Sequence, residues 1–421
     1  MTLSLGIDIG TSGIRTAVLD RDGSVVSMAR AAHLPQPGDE IDANLWWTAV
    51  QTCLHTQIAT LREIGLDPHA IQDIAVDGTS GSMVLTDAQL RPVSPALMYN
   101  SKGFDAEARA IGQIAPSSHI TRGSNSALAR AMRLVSKAQA SPAHLLHQAD
   151  FIVAKLMGRG GHSDHNNALK TGFDPESQRW PDWIGDLITP DWLPQVHPVG
   201  TRLDCLDPAV AQALGLSTRT RLHAGTTDSI AAFLACAPLE EGMAVTSLGS
   251  TLAIKILSPK RIDDPRIGLY SHRIGQVWLV GGASNTGGAV LASVLPTQKV
   301  SELSARIDPE QETGLQFYPL LQPGERFPIN DPDLQPIMTP RPDDDALFLQ
   351  ALFEGIARIE ARCYAEIEMR GGGSPKRIFS AGGGAKDHAF SRIRARSLGM
   401  DPVMSQTTEA AIGAAKLARW T

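Results

Sequence analysis

Leu5-Gly6-Ile7-Asp8-Ile9-Gly10-Thr11-Ser12-Gly13-Ile14-Arg15-Thr16-Ala17-Val18-Leu19 opens the chain. Met243-Ala244-Val245-Thr246-Ser247-Leu248-Gly249-Ser250-Thr251-Leu252-Ala253-Ile254-Lys255-Ile256-Leu257 returns the same pattern. Each is an apolar run of strand length, a turn of Gly, Ser and Thr, and a second apolar run. Strands of this length punctuated by Gly-rich turns predict antiparallel hairpins. The two copies are too far apart for a solenoid repeat. They predict two related halves, each offering a turn whose backbone N–H groups and hydroxyls can face a polyanion.

Outward from the first copy, Asp20-Arg21-Asp22-Gly23 turns the chain into Val25-Val26-Ser27-Met28, the third strand of a meander. From Asn44 the period changes: Trp47, Val50, Leu54, Ile58 and Leu61 recur at helical spacing, with Gly65 and Pro68 beyond the stop. Ile71–Val76 reads as a strand running into Asp77-Gly78-Thr79-Ser80-Gly81. Leu222–Ala224 is a short strand leading into Gly225-Thr226-Thr227-Asp228 and an apolar helix. In the second half, Ala346–Met369 is the clearest helix, Gln322–Pro342 is a Pro- and Asp-rich surface connection, and a strand at Arg377–Ser380 meets Ala381-Gly382-Gly383-Gly384. Strands followed by helices, with polar Gly-rich segments at the strand ends, predict an α/β protein with its site at those ends.

The 421 residues suit two or three domains. Hydrophobic residues at 43% and charged residues at 19% exclude a mostly disordered chain. Lys and Arg total 38 against 44 Asp and Glu, a net charge of −6. That balance argues against a nucleic-acid partner. No apolar run approaches the ~20 residues needed to span a bilayer, so no membrane association is expected. The four cysteines, Cys53, Cys205, Cys236 and Cys363, form no CxxC pair, and with no export signal in MTLSLGIDIG they predict a reducing, cytoplasmic setting.

Four windows carry chemistry. Asp8, at a strand end beside Gly10–Gly13 and Arg15, suits Mg²⁺ and phosphate; the same residues also suit a plain hairpin. Asp228, in Gly225-Thr226-Thr227-Asp228-Ser229, suits a general base for a substrate hydroxyl or a simple helix cap. Thr246–Thr251 and Gly382–Gly384 are phosphate loops or tight turns. There is no GxxxxGK[ST] loop and no GxGxxG after a strand.

Taken together and in order, these windows resemble the FGGY family of carbohydrate kinases. The likeness runs through Ile7–Ser12, the acidic-Trp segment Glu40-Ile41-Asp42…Trp46-Trp47, Ser163–Ala168, Ala224–Ser229, Thr246–Thr251, Ala381–Lys386 and Glu409–Ala415. It implies two actin-like ATPase (ribonuclease H-like) domains with the active site in the cleft between them. The first domain is 1–235 and the second 236–421, with the last helix free to pack back on the first. It implies ATP-dependent phosphorylation of a sugar hydroxyl. Asp228 is then the base; Asp8 organises substrate and, with Asp228, Mg²⁺. Thr11, Ser12 and Arg15 face the phosphates from one side, Gly249 and Ser250 from the other. Gly287, Gly288, Gly383, Gly384 and Asp387 line the nucleotide site, with Asp387 standing where relatives often have Asn.

Departures from the family bear on the substrate. Xylulokinases commonly carry Gly-Gln-Met-His, and glycerol kinases an Arg-Glu pair, where this chain has Gly78-Thr79-Ser80-Gly81. The loop and the short chain look like the compact D-ribulose kinases of cyanobacteria and plants, which places Ser80 against a pentulose. D-xylulose or another small ketose or polyol is the alternative within the class. An actin-like ATPase or scaffold, or a catalytically dead regulator, is the alternative outside it. The oligomeric state is left open. His162, Asp164 and His165 read as a polar loop rather than a metal cluster, and no cysteine has an electropositive neighbour that would mark it as catalytic.

Overall fold

Leu3, Leu5, Ile7 and Ile9 are all buried, as are the residues between them, so the first apolar run is a central strand covered on both faces. A computed structural model describes residues 2–33, 40–117 and 119–420, apart from the side chain of Glu40, which the acidic-Trp segment included. The chain divides into one unit of Met1–Ala235 with Glu409–Thr421, and another of Cys236–Thr408.

The first unit is built on strands β1 (Leu3–Ile9), β2 (Gly13–Leu19), β3 (Val25–Ala32), β4 (Ile71–Gly78), β5 (Arg202–Cys205) and β6 (Arg221–Thr227). Their order in the sheet is β5-β6-β4-β1-β2-β3. The β1–β2–β3 meander is antiparallel, whereas β1, β4 and β6 run parallel. The helix Asn44–Glu63 buries Trp46, Val50, Leu54, Ile58 and Leu61. Trp46, rather than Trp47, is the fully buried tryptophan of this helix.

The second unit holds β7 (Met243–Leu248), β8 (Leu252–Ser258), β9 (Tyr270–Ile274), β10 (Val277–Ser284), β11 (Arg377–Ala381) and β12 (Val403–Met404). Their order is β9-β10-β8-β7-β11-β12. Here β7–β8–β10 is the antiparallel meander, and β7, β11 and β12 are parallel. Both sheets therefore share one five-strand arrangement, β3-β2-β1-β4-β6 and β10-β8-β7-β11-β12. The helix Asp345–Met369 supplies much of the second core, including Leu349, Leu352, Phe353, Ile356 and Ile367.

Residues 409–421, numbered with the second domain, pack back in the first unit, as the sequence reading allowed for the last helix. Small residues permit it: a Cβ on Gly6 would lie 1.9 Å from the carbonyl oxygen of Ala411, and one on Gly413 would lie 1.8 Å from that of Ala231. Lys416 Nζ adds hydrogen bonds to the carbonyls of Leu234 and Ala235, 3.0 Å each. The segment Gln322–Pro342 is more than a surface connection. Phe327 is buried, and so is Glu325, which accepts from Ser284 Oγ at 2.6 Å, Asn285 N at 2.7 Å and Tyr318 Oη at 2.9 Å. Backbone and hydroxyl donors at the end of β10 need an acceptor, and the loop brings one.

Candidate active site

Antiparallel pairing sets Asp8 opposite Arg15, and the parallel register of β1 with β4 sets Asp8 level with Asp77. On the next strand Thr226 is level with Asp77 and Thr227 with Gly78. Asp228 opens the helix Asp228–Cys236 immediately afterwards. Three carboxylates from distant parts of the chain thus gather at the C-terminal ends of three parallel strands, where open α/β sheets place their ligands.

The three differ in environment. Asp77 is fully buried, and its two oxygens have no donor among the described residues. Burial first, then the charges of Asp8 and Asp228, push its carboxyl well above the usual range. A protonated Asp77 can donate to Asp8, and this satisfies both groups. Asp8 is buried too. Burial raises its pKa, opposed by the hydrogen bonds from Asp77 and Arg15. Arg15 Nη1 lies 3.2 Å from Asp8 Oδ2, and its Nε lies 3.6 Å from Glu409 Oε2. Asp228 is half-buried, and its Oδ1 accepts from Ser229 N at 2.6 Å. Thr11 and Ser12 are exposed at the β1–β2 turn, and Thr11 Oγ1 approaches Tyr99 Oη at 3.5 Å.

Beside this group the loop Gly78–Ser82 is held from several sides. Thr79 turns inward: its N and Oγ1 both donate to Gln148 Oε1, at 3.0 and 2.6 Å, and Oγ1 also meets Ser82 Oγ at 2.6 Å. Ser82 Oγ accepts from Tyr99 N at 3.0 Å. Arg130, almost fully buried, donates to the carbonyls of Gly81 at 3.2 Å, Asn125 at 2.9 Å, and Tyr99. Gly78 is tightly enclosed: a Cβ there would sit 3.1 Å from Ala149 N and 3.2 Å from Gln148 Oε1, so a side chain would require these neighbours to give way slightly. Ser80 is left half-buried at the tip. The Ser163–Ala168 stretch supports the same end of the sheet. Asp164 caps the helix His165–Thr171 through Asn166 N and Asn167 N, and Asn166 Nδ2 donates to Thr226 Oγ1 at 3.0 Å. Asp164, His165 and His162 thus have separate tasks: His165 stacks on Phe173, and His162 meets His197.

Carboxylate oxygens are hard donors that suit Mg²⁺. Among the described residues no group of three or more His, Cys, Asp or Glu side chains is placed to hold a metal alone. The excess of the Asp8 and Asp228 carboxylates over Arg15 fits a cation bound through one or two carboxylates, waters and substrate phosphates, which is how Mg²⁺ is usually held.

In the second unit the three Gly turns frame a cavity of ≈ 410 Å³. Gly249, Gly287, Gly288, Gly383, Gly384 and Asp387 all line it, together with Leu252, Phe353, Ile356, Lys386 and Phe390. The turns interlock through Gly288 N to Gly249 O at 2.8 Å and Ala289 N to Ser250 O at 3.1 Å. Gly287 has φ +141, and a Cβ on it would lie 2.8 Å from Ser250 O. Ser250 itself is exposed at its turn and lies outside the lining. Asp387 Oδ1 is engaged in structure: it caps the helix His388–Leu398 through Phe390 N at 2.9 Å and accepts from Ser304 Oγ at 2.8 Å.

The sequence singles out Asp8, Asp228, the turns and the Ser163–Ala168 stretch that holds Asn166, but not Asp77, Gln148, Arg130 or Tyr99. The Asp-Gly step at 77–78 was visible as a strand end; its approach to Asp8 depends on strand pairing.

Comparison with known proteins divides the chain near the same boundary but counts residues 409–421 with the C-terminal domain. The model of the FGGY carbohydrate kinase N-terminal domain matches residues 3–235, and that of the C-terminal domain matches residues 244–421. The xylulose kinase of Escherichia coli strain K12 is 24% identical over 99% of this chain and 89% of its own length. A gluconokinase of Bacillus subtilis strain 168 is 22% identical over 79% of this chain and 70% of its own. Among solved structures, one titled a xyloylose kinase from Brucella ovis superposes with a TM-score of 0.87 at 21% identity, covering 99% of this chain and 90% of the other. At that identity the superposition speaks for the fold. Among the described residues no helix is long and apolar enough to cross a membrane.

Proposed function

The chain belongs to the FGGY family of carbohydrate kinases, and from that premise we propose that it transfers the γ-phosphate of ATP to a hydroxyl of D-ribulose, giving D-ribulose 5-phosphate. The observation that carries the choice of sugar is the Gly78–Ser82 loop. Thr79 is turned inward onto Gln148 and Ser82, the two glycines carry no side chain, and Ser80 alone presents a small hydroxyl. A site of this kind selects through hydrogen bonds, which reject a mismatched hydroxyl pattern more strongly than an apolar wall does.

In this reading the first unit holds the sugar and the second the nucleotide. Asp228 accepts the proton of the attacking hydroxyl as its oxygen bonds to the γ-phosphorus and the bond to ADP breaks. Asp8, fixed by Arg15 and by the proton on Asp77, orients the hydroxyl. The apolar cavity of the second unit, within the usual range of about 300–1,000 Å³ for ligand pockets, takes the base and ribose, and its Gly turns bring backbone N–H groups to the phosphates. Asp8 and Asp228 would hold Mg²⁺, through water at least in part. Mg²⁺, when bound, offsets charge on the phosphate oxygens. Most of the acceleration comes from positioning and from charges already in place.

D-xylulose is the second reading, favoured by the names of the similar kinases. Ser80→Ala separates the roles. Loss of a buried hydrogen bond to the sugar should lower kcat/KM for D-ribulose by about 1–3 kcal/mol and leave the KM for ATP unchanged. A variant equal to wild type on both sugars would make Ser80 a turn residue only.

A further inference from the structure

A second cavity, of ≈ 180 Å³, lies at the other end of the same strands. Ser4 on β1 is level with Asp73 on β4, and Arg221 at the start of β6 is level with Asp73 in turn. Asp8 and Asp77 stand four residues further along β1 and β4, about 13 Å away at ~3.3 Å per residue. Thr2, Ser4, Arg21, Asp73, Arg221 and Arg419 line the space.

The charges there do not balance. Asp73 is fully engaged: Arg221 Nε and Nη2 donate to its two oxygens at 2.7 and 2.6 Å, and His223 Nε2 lies 2.8 Å from Oδ1. Arg21 and Arg419 are left over, with no carboxylate partner among the described residues. Arg419 is pinned by neutral groups, the carbonyls of Asp20 at 2.6 Å and of Arg21. Asp20 turns its Oδ1 away, onto the amides of Asp22 and Ser24. Ser4 is 2% exposed, and its Oγ is buried without a partner among the described residues. Two surplus guanidinium groups and an unsatisfied hydroxyl therefore line one cavity. Its volume is several times the roughly 30 Å³ share of one water, which leaves room for a tetrahedral oxyanion.

We propose that this cavity is a binding site for a phosphate-type oxyanion, either inorganic phosphate or the phosphate group of a small ester, separate from the site of phosphoryl transfer. Planar Arg forks match phosphate oxygens and bind them strongly when partly desolvated. Ser4 Oγ donates from the floor.

The test is calorimetric titration of the whole protein with inorganic phosphate, and separately with glycerol 3-phosphate. Saturating ADP and constant ionic strength keep the nucleotide site occupied and screening fixed. Wild type should bind one anion per chain. Arg21→Gln, at an exposed residue that the fold does not need, should weaken it about tenfold, the weight of one charge-assisted contact. Ser4→Ala should weaken it less. Both variants should keep the wild-type KM for sugar and ATP. Tighter binding of the ester than of inorganic phosphate assigns the site to esters, and the reverse assigns it to the free ion. No saturable binding in wild type, or undiminished binding in both variants, would overturn the proposal.

Discussion

At the end of β1, Asp8 stands level with Asp77 across a parallel pair. At the equivalent end of β7, Ser247 stands level with Ala381. The backbone device is the same in both units: a hairpin closed by a Gly-, Ser- and Thr-containing turn, beside a parallel strand that ends at or just before a glycine, Gly78 or Gly382. What differs is the chemistry hung on it. The first unit gathers carboxylates that have to be kept apart in protonation, and the adjoining loop and strand end are held by Gln148, Asn166 and Arg130. The second places small neutral residues at the corresponding points, and its Gly turns, where a Cβ on Gly287, Gly288, Gly382 or Gly384 would lie 2.5–3.1 Å from neighbouring atoms, frame an apolar cavity instead. In the proposed reading, one strand-turn-strand frame serves proton handling in one half and shape-fitting in the other, so damage to each half should read out in a different kinetic constant.

The largest expected effect lies in the acidic half. Asp228→Asn should lower kcat by 10²-fold or more, the usual weight of a general base, while nucleotide binding measured by titration stays near wild type. Near-normal turnover would remove Asp228 from proton transfer.

An intermediate effect is expected in the glycine half. Gly287→Ala forces a Cβ toward Ser250 O in a backbone conformation that L side chains rarely adopt. The KM for ATP should rise about tenfold, in line with ~1–3 kcal/mol of local strain, with the KM for sugar unaltered. Equal effects on both constants would blur the division of labour between the units.

The smallest effect concerns Asp77, and its sign can be worked out. The folded-state pKa of Asp77 is raised above the ordinary 3.8. The folded form therefore holds this proton more tightly than the unfolded form does. The stability that the buried acid contributes is present below pH 3.8 and is lost as pH climbs toward the folded value. Asn has no proton to lose and can still donate to Asp8. Asp77→Asn should match wild type in Tm near pH 4 and exceed it increasingly toward pH 8, by about 2–4 °C for each ~1 kcal/mol recovered. A gap that stays flat with pH, or a variant less stable throughout, would contradict the reading of Asp77 as a buried protonated acid.

Local pattern made much of this legible. The β1–β2 and β7–β8 hairpins, the helices Asn44–Glu63 and Asp345–Met369, and the strand-to-helix junction at Asp228 follow from periodicity and turn chemistry within a few residues. Features set by long-range pairing were not legible. Asp77 reads as a turn acid until β4 is laid beside β1. The contacts of Gln148 with Thr79 and of Asn166 with Thr226 join residues 69 and 60 apart in sequence, which no local pattern predicts. Glu325 sits in a Pro- and Asp-rich stretch with every mark of a surface loop, and only the orphan donors at Ser284 and Asn285 explain its burial. The C-terminal helix was free, from its sequence, to pack on either half, and Gly6 and Gly413 give it a close fit in the first.

The most direct test of the central claim is ADP release by the wild-type protein with ATP and Mg²⁺, measured with no sugar, with D-ribulose and with D-xylulose. The account predicts little release without sugar and a higher kcat/KM for D-ribulose than for D-xylulose. Preference for D-xylulose would contradict the choice of sugar drawn from the Gly78–Gly81 loop, and release that ignores sugar altogether would contradict the assignment of the acidic half to a sugar hydroxyl.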